Sequence, residues 1–362
     1  MIQGKTFQKL SRQLGIRAET LERDYVMNLI LDAFAHCPST QNSFFFKGGC
    51  CVHKCFSQHT FDAKNPQLSY FLNGRFSSDI DLTVTPDMMS TEKLMQAFNE
   101  VKEYVYHRHG LVINQFSFPI HANNKQQIEN RQKCNSRGII HFEGPMYNNR
   151  FNSPAMKFDI TADERVVFAP YKRLIYHPYS NEEEEEEMVL VAKTYTLRDI
   201  FAEKIRALFE RCSPRDLYDL VILQSHPDLD EIRRTGIGLS IIEKFMLKKM
   251  DYNLSGNRLE TTQRHGTPLL EHCRTSWENA LTRQVASMPD YEEYITQLPN
   301  IISFAQQCIR MAQKEILHHH RKTSEPLSTT VQYLLIEETS KMSEFQKQIN
   351  QVLAEEKNMR LK

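Results

Sequence analysis

Apolar residues recur along this chain with two different periods, and the switches between them outline alternating helices and strands. From about residue 5 to 37 the period is helical. Ile16 and Leu21 lead into Tyr25, Val26, Leu29, Ile30, Ala33 and Phe34, and Thr20 with Arg23 and Asp24 marks the start of a second helix. Residues 43–46, Ser-Phe-Phe-Phe between polar neighbours, predict a buried strand. Lys47-Gly48-Gly49 follows, then Cys50, Cys51, Val52, Cys55 and Phe56 at helical spacing. The polar stretch 57–74 reads as a connector, and 76–85 reads as a strand that Pro86 ends. Leu94, Phe98, Val101 and Val105 line one face of a helix over 90–108. Residues 111–118, 138–143 and 154–161 predict further strands, and 189–192 a short edge strand. The basic stretch 121–137 lacks aromatic residues and reads as a solvated loop or hairpin rather than an RNA-contacting patch.

Beyond residue 195 the pattern is helical. Leu197, Ile200, Phe201, Ile205, Leu208 and Phe209 define an amphipathic helix that Thr196 caps, with Asp199 three residues on. Ser213-Pro214-Arg215-Asp216 opens the next helix with Ser at the cap and Pro at the first helical position. Helical periodicity then covers 238–250, 270–286, 290–316 and 326–356, the last long enough to pack on the body or to meet a partner.

Composition narrows the class. The 362 residues suffice for two or three domains, and a content of 40% hydrophobic residues marks a globular chain. Lys+Arg and Asp+Glu both number 45, so no global positive field draws in nucleic acid. Eight cysteines without a pairing pattern point to a reducing, cytoplasmic setting, and Cys50, Cys51, Cys55 and His53 lack the spacing of a zinc finger. No apolar run reaches the ~20 residues that span a bilayer. Six consecutive glutamates at 182–187 read as a surface loop, and His318-His319-His320 as a solvated helix end.

The chemistry centres on Ser77-Ser78-Asp79-Ile80-Asp81. On a strand, Asp79 and Asp81 project from one face and Ile80 and Leu82 from the other. Paired carboxylates repel unless a cation lies between them or one is protonated, and an oxygen-only ligand set suits Mg²⁺. Ser77 offers a hydroxyl to a phosphate or to the metal shell. The strand–Gly48-Gly49–helix sequence is either a tight turn or a phosphate cradle, in which backbone N–H groups approach an anion. Asp159 sits within an apolar strand and is either a third metal ligand or a salt-bridged structural residue. Lys204 and Arg211 lie two turns apart on one helix face, a spacing suited to a polyphosphate, although Lys204 also reads as one of many surface lysines. Asp216 either completes a capping box or joins them.

Four pieces stand in one order: Lys47-Gly48-Gly49, Arg75-Phe76-Ser77-Ser78-Asp79-Ile80-Asp81, Ala202-Glu203-Lys204-Ile205-Arg206-Ala207-Leu208 and Arg215-Asp216-Leu217-Tyr218-Asp219-Leu220. With Glu22-Arg23-Asp24-Tyr25 before them, this set resembles the AbiEii/AbiGii-type nucleotidyltransferase toxins of the DNA polymerase β-like superfamily, over roughly residues 15–225. The resemblance implies an α+β fold: a minimal nucleotidyltransferase core with a mixed sheet flanked by helices, followed by an α-helical C-terminal domain. Residues 1–40 would form an N-terminal helical segment, 41–195 the core and 196–362 the helical region. It implies transfer of a nucleoside monophosphate from an NTP, ATP among them, to an acceptor hydroxyl, with the tRNA 3′ end as acceptor and a cognate antitoxin as partner. Ser77, Asp79, Asp81, Lys204 and Asp216 would be catalytic. Gly48, Gly49, Ser77, Lys204 and Arg211 would bind the nucleotide, and Asp79, Asp81 and Asp159 would hold two Mg²⁺ ions. Cys50 stands where the family often has Thr. The alternatives are a protein or small-molecule acceptor, and an NTP-binding module without turnover.

Overall fold

The computed structural model describes residues 1–117, 135–147, 154–179, 188–231, 234–323 and 334. The expected glutamate loop at 182–187, the helix at 326–356 and the basic stretch before residue 135 lie outside them.

Seven strands form one mixed sheet: β1 (Phe44–Lys47), β2 (Asp79–Val84), β3 (Val112–Ser117), β4 (Asn135–Glu143), β5 (Ala155–Thr161), β6 (Tyr171–Ile175) and β7 (Leu190–Thr194). Their spatial order is β3-β4-β5-β2-β1-β7-β6. β2 runs parallel to β5 and antiparallel to β1, and β1 runs parallel to β7. The three central strands thus put chain segments far apart in sequence side by side. Alternation decides their faces: Ile80 and Leu82 are buried, while Asp79 and Asp81 are partly exposed on the opposite side.

Helices α1 (Gly4–Leu14), α2 (Ala18–His36), α3 (Gly48–Cys51), α4 (Pro66–Asn73) and α5 (Thr91–His109) accompany the sheet. α2 is almost wholly buried because it lies within the body. Its Asp32 accepts the backbone N–H of Val191 on β7 at 3.0 Å and the Tyr104 hydroxyl at 3.1 Å. Phe34 stacks on Phe44 at 5.2 Å, joining α2 to β1. The helical region follows as α6 (Leu197–Arg211), α7 (Pro214–Gln224), α8 (Arg234–Leu247), α9 (Leu269–Leu281) and α10 (Leu298–Thr323). α6 is capped as expected, the Thr196 hydroxyl accepting the Asp199 N–H at 3.2 Å.

Several expectations need correction. α2 begins at Ala18, after Arg17, and Thr20 is not its cap. The connector 57–74 contains α4, whose start is fixed by Asn65 accepting the Leu68 N–H and by Pro66 at the first position. β2 starts at Asp79, three residues later than expected, because Ser77 and Asp79 form a turn. β6 was not predicted. β7 lies between β1 and β6, inside the sheet rather than at its edge. The helix expected from 50 to 56 is a short α-turn that widens into a π-helical turn, Val52–Phe56.

Candidate active site

Four charged side chains cross the sheet in one row. Lys47 on β1 pairs in register with Asp81 on β2, Asp81 with Asp159 on β5, and Asp159 with Arg137 on β4. Residues in register share a face, so the row reads plus, minus, minus, plus. Arg137 Nε lies 3.0 Å from the Asp159 carboxylate, and both side chains are well exposed. Burial pushes the Asp81 carboxyl up to about 6; Lys47 and Lys204 pull it back, and Asp159 adds to the rise. Asp79 stands one pleat along on the same face, beside Lys157 of β5. The Ser77 hydroxyl donates to the Asp79 carbonyl at 3.1 Å and accepts the Asp79 N–H at 3.3 Å, so it fixes the turn that presents Asp79.

The glycine turn sits against this row. Gly48 has φ of +74°, and a Cβ there would fall on the Asp81 carboxylate. A Cβ on Gly49 would fall on the Arg75 guanidinium. Both glycines are therefore required by what lies next to them, whether or not an anion binds. Lys47, just before the turn, is buried and reaches Glu203 at 3.3 Å. Burial alone would lower the Lys47 ammonium, but Glu203, Glu164 and Asp81 outweigh it and raise it above the ordinary value. Glu203, although largely buried, is held down to about 2 by Lys47, Lys244 and Arg206.

A third component comes from α6 and α7. Lys204 Nζ lies 2.6 Å from Asp219 and 3.5 Å from Asp216. Arg211 grips Asp216 with two hydrogen bonds, Nε at 2.8 Å and Nη2 at 2.9 Å. Arg75 grips Asp219 likewise, Nε at 3.0 Å and Nη2 at 2.9 Å. Asp216 is fully buried, and burial would raise it; Lys204 and Arg211 instead hold it down to about 2. Ser213 makes no side-chain cap bond, so the capping-box alternative for Asp216 is not realised. These three cations face two carboxylates, which leaves one positive charge in excess. Lys204 and Arg211 also act electrostatically on Asp81, which joins this cluster to the sheet row.

The geometry therefore places Asp79, Asp81 and Asp159 on one sheet face, with Ser77 in the turn before Asp79 and Gly48 beside Asp81, and links Lys204 and Arg211, which hold Asp216, to Asp81. Sequence reasoning assigned no role to Lys47, Arg75, Glu203 or Asp219. Each had a signal, being part of one of the four ordered pieces, but its partner lies far along the chain. Cys50, Cys51 and Cys55 are free and buried, and among the described residues no three His, Cys, Asp or Glu side chains are grouped to hold a metal as they stand. Asp159 is turned to Arg137. The donor set nevertheless fits a hard divalent cation: Asp79 and Asp81 offer oxygens alone, and the missing Cβ of Gly48 makes room for the Asp81 carboxylate.

A family model described as nucleotidyl transferase AbiEii toxin, type IV TA system, matches residues 29–297. Among solved structures, the chain is similar to MenT4, a nucleotidyltransferase toxin from Mycobacterium tuberculosis H37Rv. The TM-score is 0.54 at 14% identity, over 91% of this chain and 98% of that one, a likeness of fold. No curated protein matches the sequence.

Proposed function

The chain belongs to the AbiEii family of nucleotidyl transferase toxins from type IV toxin–antitoxin systems, and from that premise we propose that it moves a nucleoside monophosphate from an NTP onto a hydroxyl of RNA, the tRNA 3′ end, releasing pyrophosphate. The observation that carries this reading is that Asp81, which shares a strand face with Asp79, lies in the field of Lys204, which arrives from a helix more than a hundred residues later.

The chemistry asks little of covalent catalysis and much of charge placement. The triphosphate lies along the glycine turn, where Gly48 and Gly49 let backbone N–H groups approach it. Lys204 and Arg211 neutralise its β- and γ-phosphates, and the single excess positive charge of their cluster suits a polyanion. The Ser77 hydroxyl turns from the Asp79 carbonyl to donate to a phosphate oxygen, and Asp216 orients Lys204 and Arg211. Asp79 and Asp81, with Asp159 once released by Arg137, would hold Mg²⁺. When bound, that cation offsets the charge of the α-phosphate and activates the acceptor hydroxyl. We place this activity in the cytoplasm, where NTPs and tRNA meet, with a protein antitoxin as the restraining partner. No described helix is long and apolar enough to cross a membrane. Residues 1–40, 41–195 and 196–362 are our proposed functional divisions.

The test is incubation with each α-labelled NTP and Mg²⁺ in the presence of total RNA, and separately of a protein lysate. Label on a tRNA-sized band supports the reading. Label on protein alone transfers the proposal to a protein hydroxyl, which the neutral overall charge also accommodates.

A further inference from the structure

Arg75 sits where the three components of the site touch. Its guanidinium is buried against Gly49 and forks onto Asp219, which in turn holds Lys204. Its backbone runs directly into Ser77 and Asp79. A guanidinium has five N–H donors, and the Asp219 fork uses two of them. A third, on Nη1, donates to the side-chain oxygen of Gln284 at 2.7 Å. Gln284 lies on the turn after α9, more than two hundred residues away, and that turn engages the segment before β2 again through the backbone. Its carbonyl accepts the Phe76 N–H at 2.6 Å, and Val285 beside it forms an isolated antiparallel bridge with Arg75. The turn itself is firm: the Gln284 N–H donates to the carbonyl of fully buried Leu281 at 2.7 Å.

The chain beyond α7 therefore reaches the nucleotide site at Gln284. We propose that Gln284 is a positioning residue for nucleotidyl transfer, clamping Arg75 so that the Ser77–Asp79 turn and the Lys204–Asp219 pair keep a fixed separation. The inference rests on the proposed reading of the site and adds a residue that none of the four ordered pieces contains. The physical reason is geometric. A fork onto Asp219 fixes the guanidinium plane but leaves it free to rock about the carboxylate, and the Gln284 oxygen on the other edge removes that freedom. Both carboxylates and the lysine must sit within a fraction of an ångström of productive geometry, since a displacement of ~1 Å can lower turnover by ~100-fold.

The experiment compares Gln284→Leu, which keeps the size and all backbone bonds but removes the acceptor, with Gln284→Glu, which restores an acceptor for Arg75. Three measurements are made on each full-length variant: kcat and KM for the preferred NTP, melting temperature, and backbone amide exchange across residues 75–81. We expect Gln284→Leu to lose about tenfold or more in kcat with KM within about threefold, melting near the wild type and faster exchange in 75–81. Gln284→Glu should return both kcat and exchange toward wild type. If Gln284→Leu does not fold, Gln284→Met serves as the more flexible acceptor-free variant. Wild-type kcat in the acceptor-free variant, or a loss that Gln284→Glu fails to rescue, overturns the proposal. Wild-type protein that transfers from none of the four NTPs overturns the functional reading instead, and the exchange data then decide whether the clamp exists.

Discussion

Asp81 and Asp159 stand in register on neighbouring parallel strands, two carboxylates side by side. Each has a cation in register on the strand beyond it, Lys47 beside Asp81 and Arg137 beside Asp159. An ordinary sheet would not choose this pairing, because like charges directly opposite are unfavourable. The pairing lies in the middle of the sheet, where burial pushes the Asp81 carboxyl up, and our proposal of a bound cation rests on it.

Replacing Asp79 or Asp81 by Asn should lower nucleotide transfer by at least ~100-fold, the loss expected when a main charge stabiliser goes. Asp81→Asn should also melt no lower than the parent, since it removes a charge that burial disfavours. Labelled-NTP incorporation and a thermal melt on the same samples check both halves.

Gly48→Ala should be harmful for reasons of shape alone. The backbone there is left-handed, which costs an L-residue ~1–2 kcal/mol, and the new methyl meets Asp81. We expect lower stability and activity together in Gly48→Ala. Gly110→Ala, at φ +69° with open space around it, should lose stability only. The pair separates strain from damage to the site.

Asp219→Asn should affect stability more than an exposed ion pair would. Asp219 is buried and serves both Arg75 and Lys204. Breaking such a pair by altering one partner is expected to remove ~3–5 kcal/mol. A shifted urea midpoint measures this. Transfer activity measured well below that midpoint should still fall, because Lys204 loses its 2.6 Å partner.

Stability should decline as the pH falls from neutrality. Burial pushes the imidazoles of His53 and His177 down to about 3 and that of His226 to about 4. Below their ordinary value near 6.5 the unfolded chain binds protons that the folded chain refuses, so each histidine removes about 1.4 kcal/mol per pH unit until its folded pKa is reached. Above 6.5 they contribute nothing. His36 works the other way: raised by its bond to Asp32, it stabilises at low pH and loses that contribution as pH rises through its folded pKa. His36 is a partly exposed ring, and Asp81, raised to about 6, opposes the decline only below pH 6, so the three lowered histidines set the direction. Urea midpoints between pH 8 and 5 should show the decline. His53→Phe should flatten it, since both His53 ring nitrogens are buried without a hydrogen-bond partner and the Phe ring keeps the stack on Tyr70.

Much of this was legible in the residues, and the reasons are local. Asp79 and Asp81 declare their shared face through alternation, α6 declares itself through its cap and apolar stripe, and the glycine pair follows a plain apolar strand. What escaped was set by distance. Lys47 and Glu203 are 156 residues apart and Arg75 and Asp219 are 144 apart, so no spacing rule joins them. β7 looked like an edge because it is short, whereas its place beside β1 is decided by parallel pairing across the chain. β6 was missed because Tyr171–Ile175 is buried at its ends and half-open between them, with no clean alternation. α4 is the exception: Asn65 and Pro66 announced it locally, and the polar composition around them obscured the signal.

The bond between Arg75 and Gln284 spans 209 positions of the chain. Domains fold as they leave the ribosome, N-terminal parts first, so a nascent polypeptide that has released its strands still lacks the clamp until the turn after α9 has emerged. If Gln284 has the proposed role, products of interrupted translation that stop before that turn should transfer nucleotide more slowly than the finished chain.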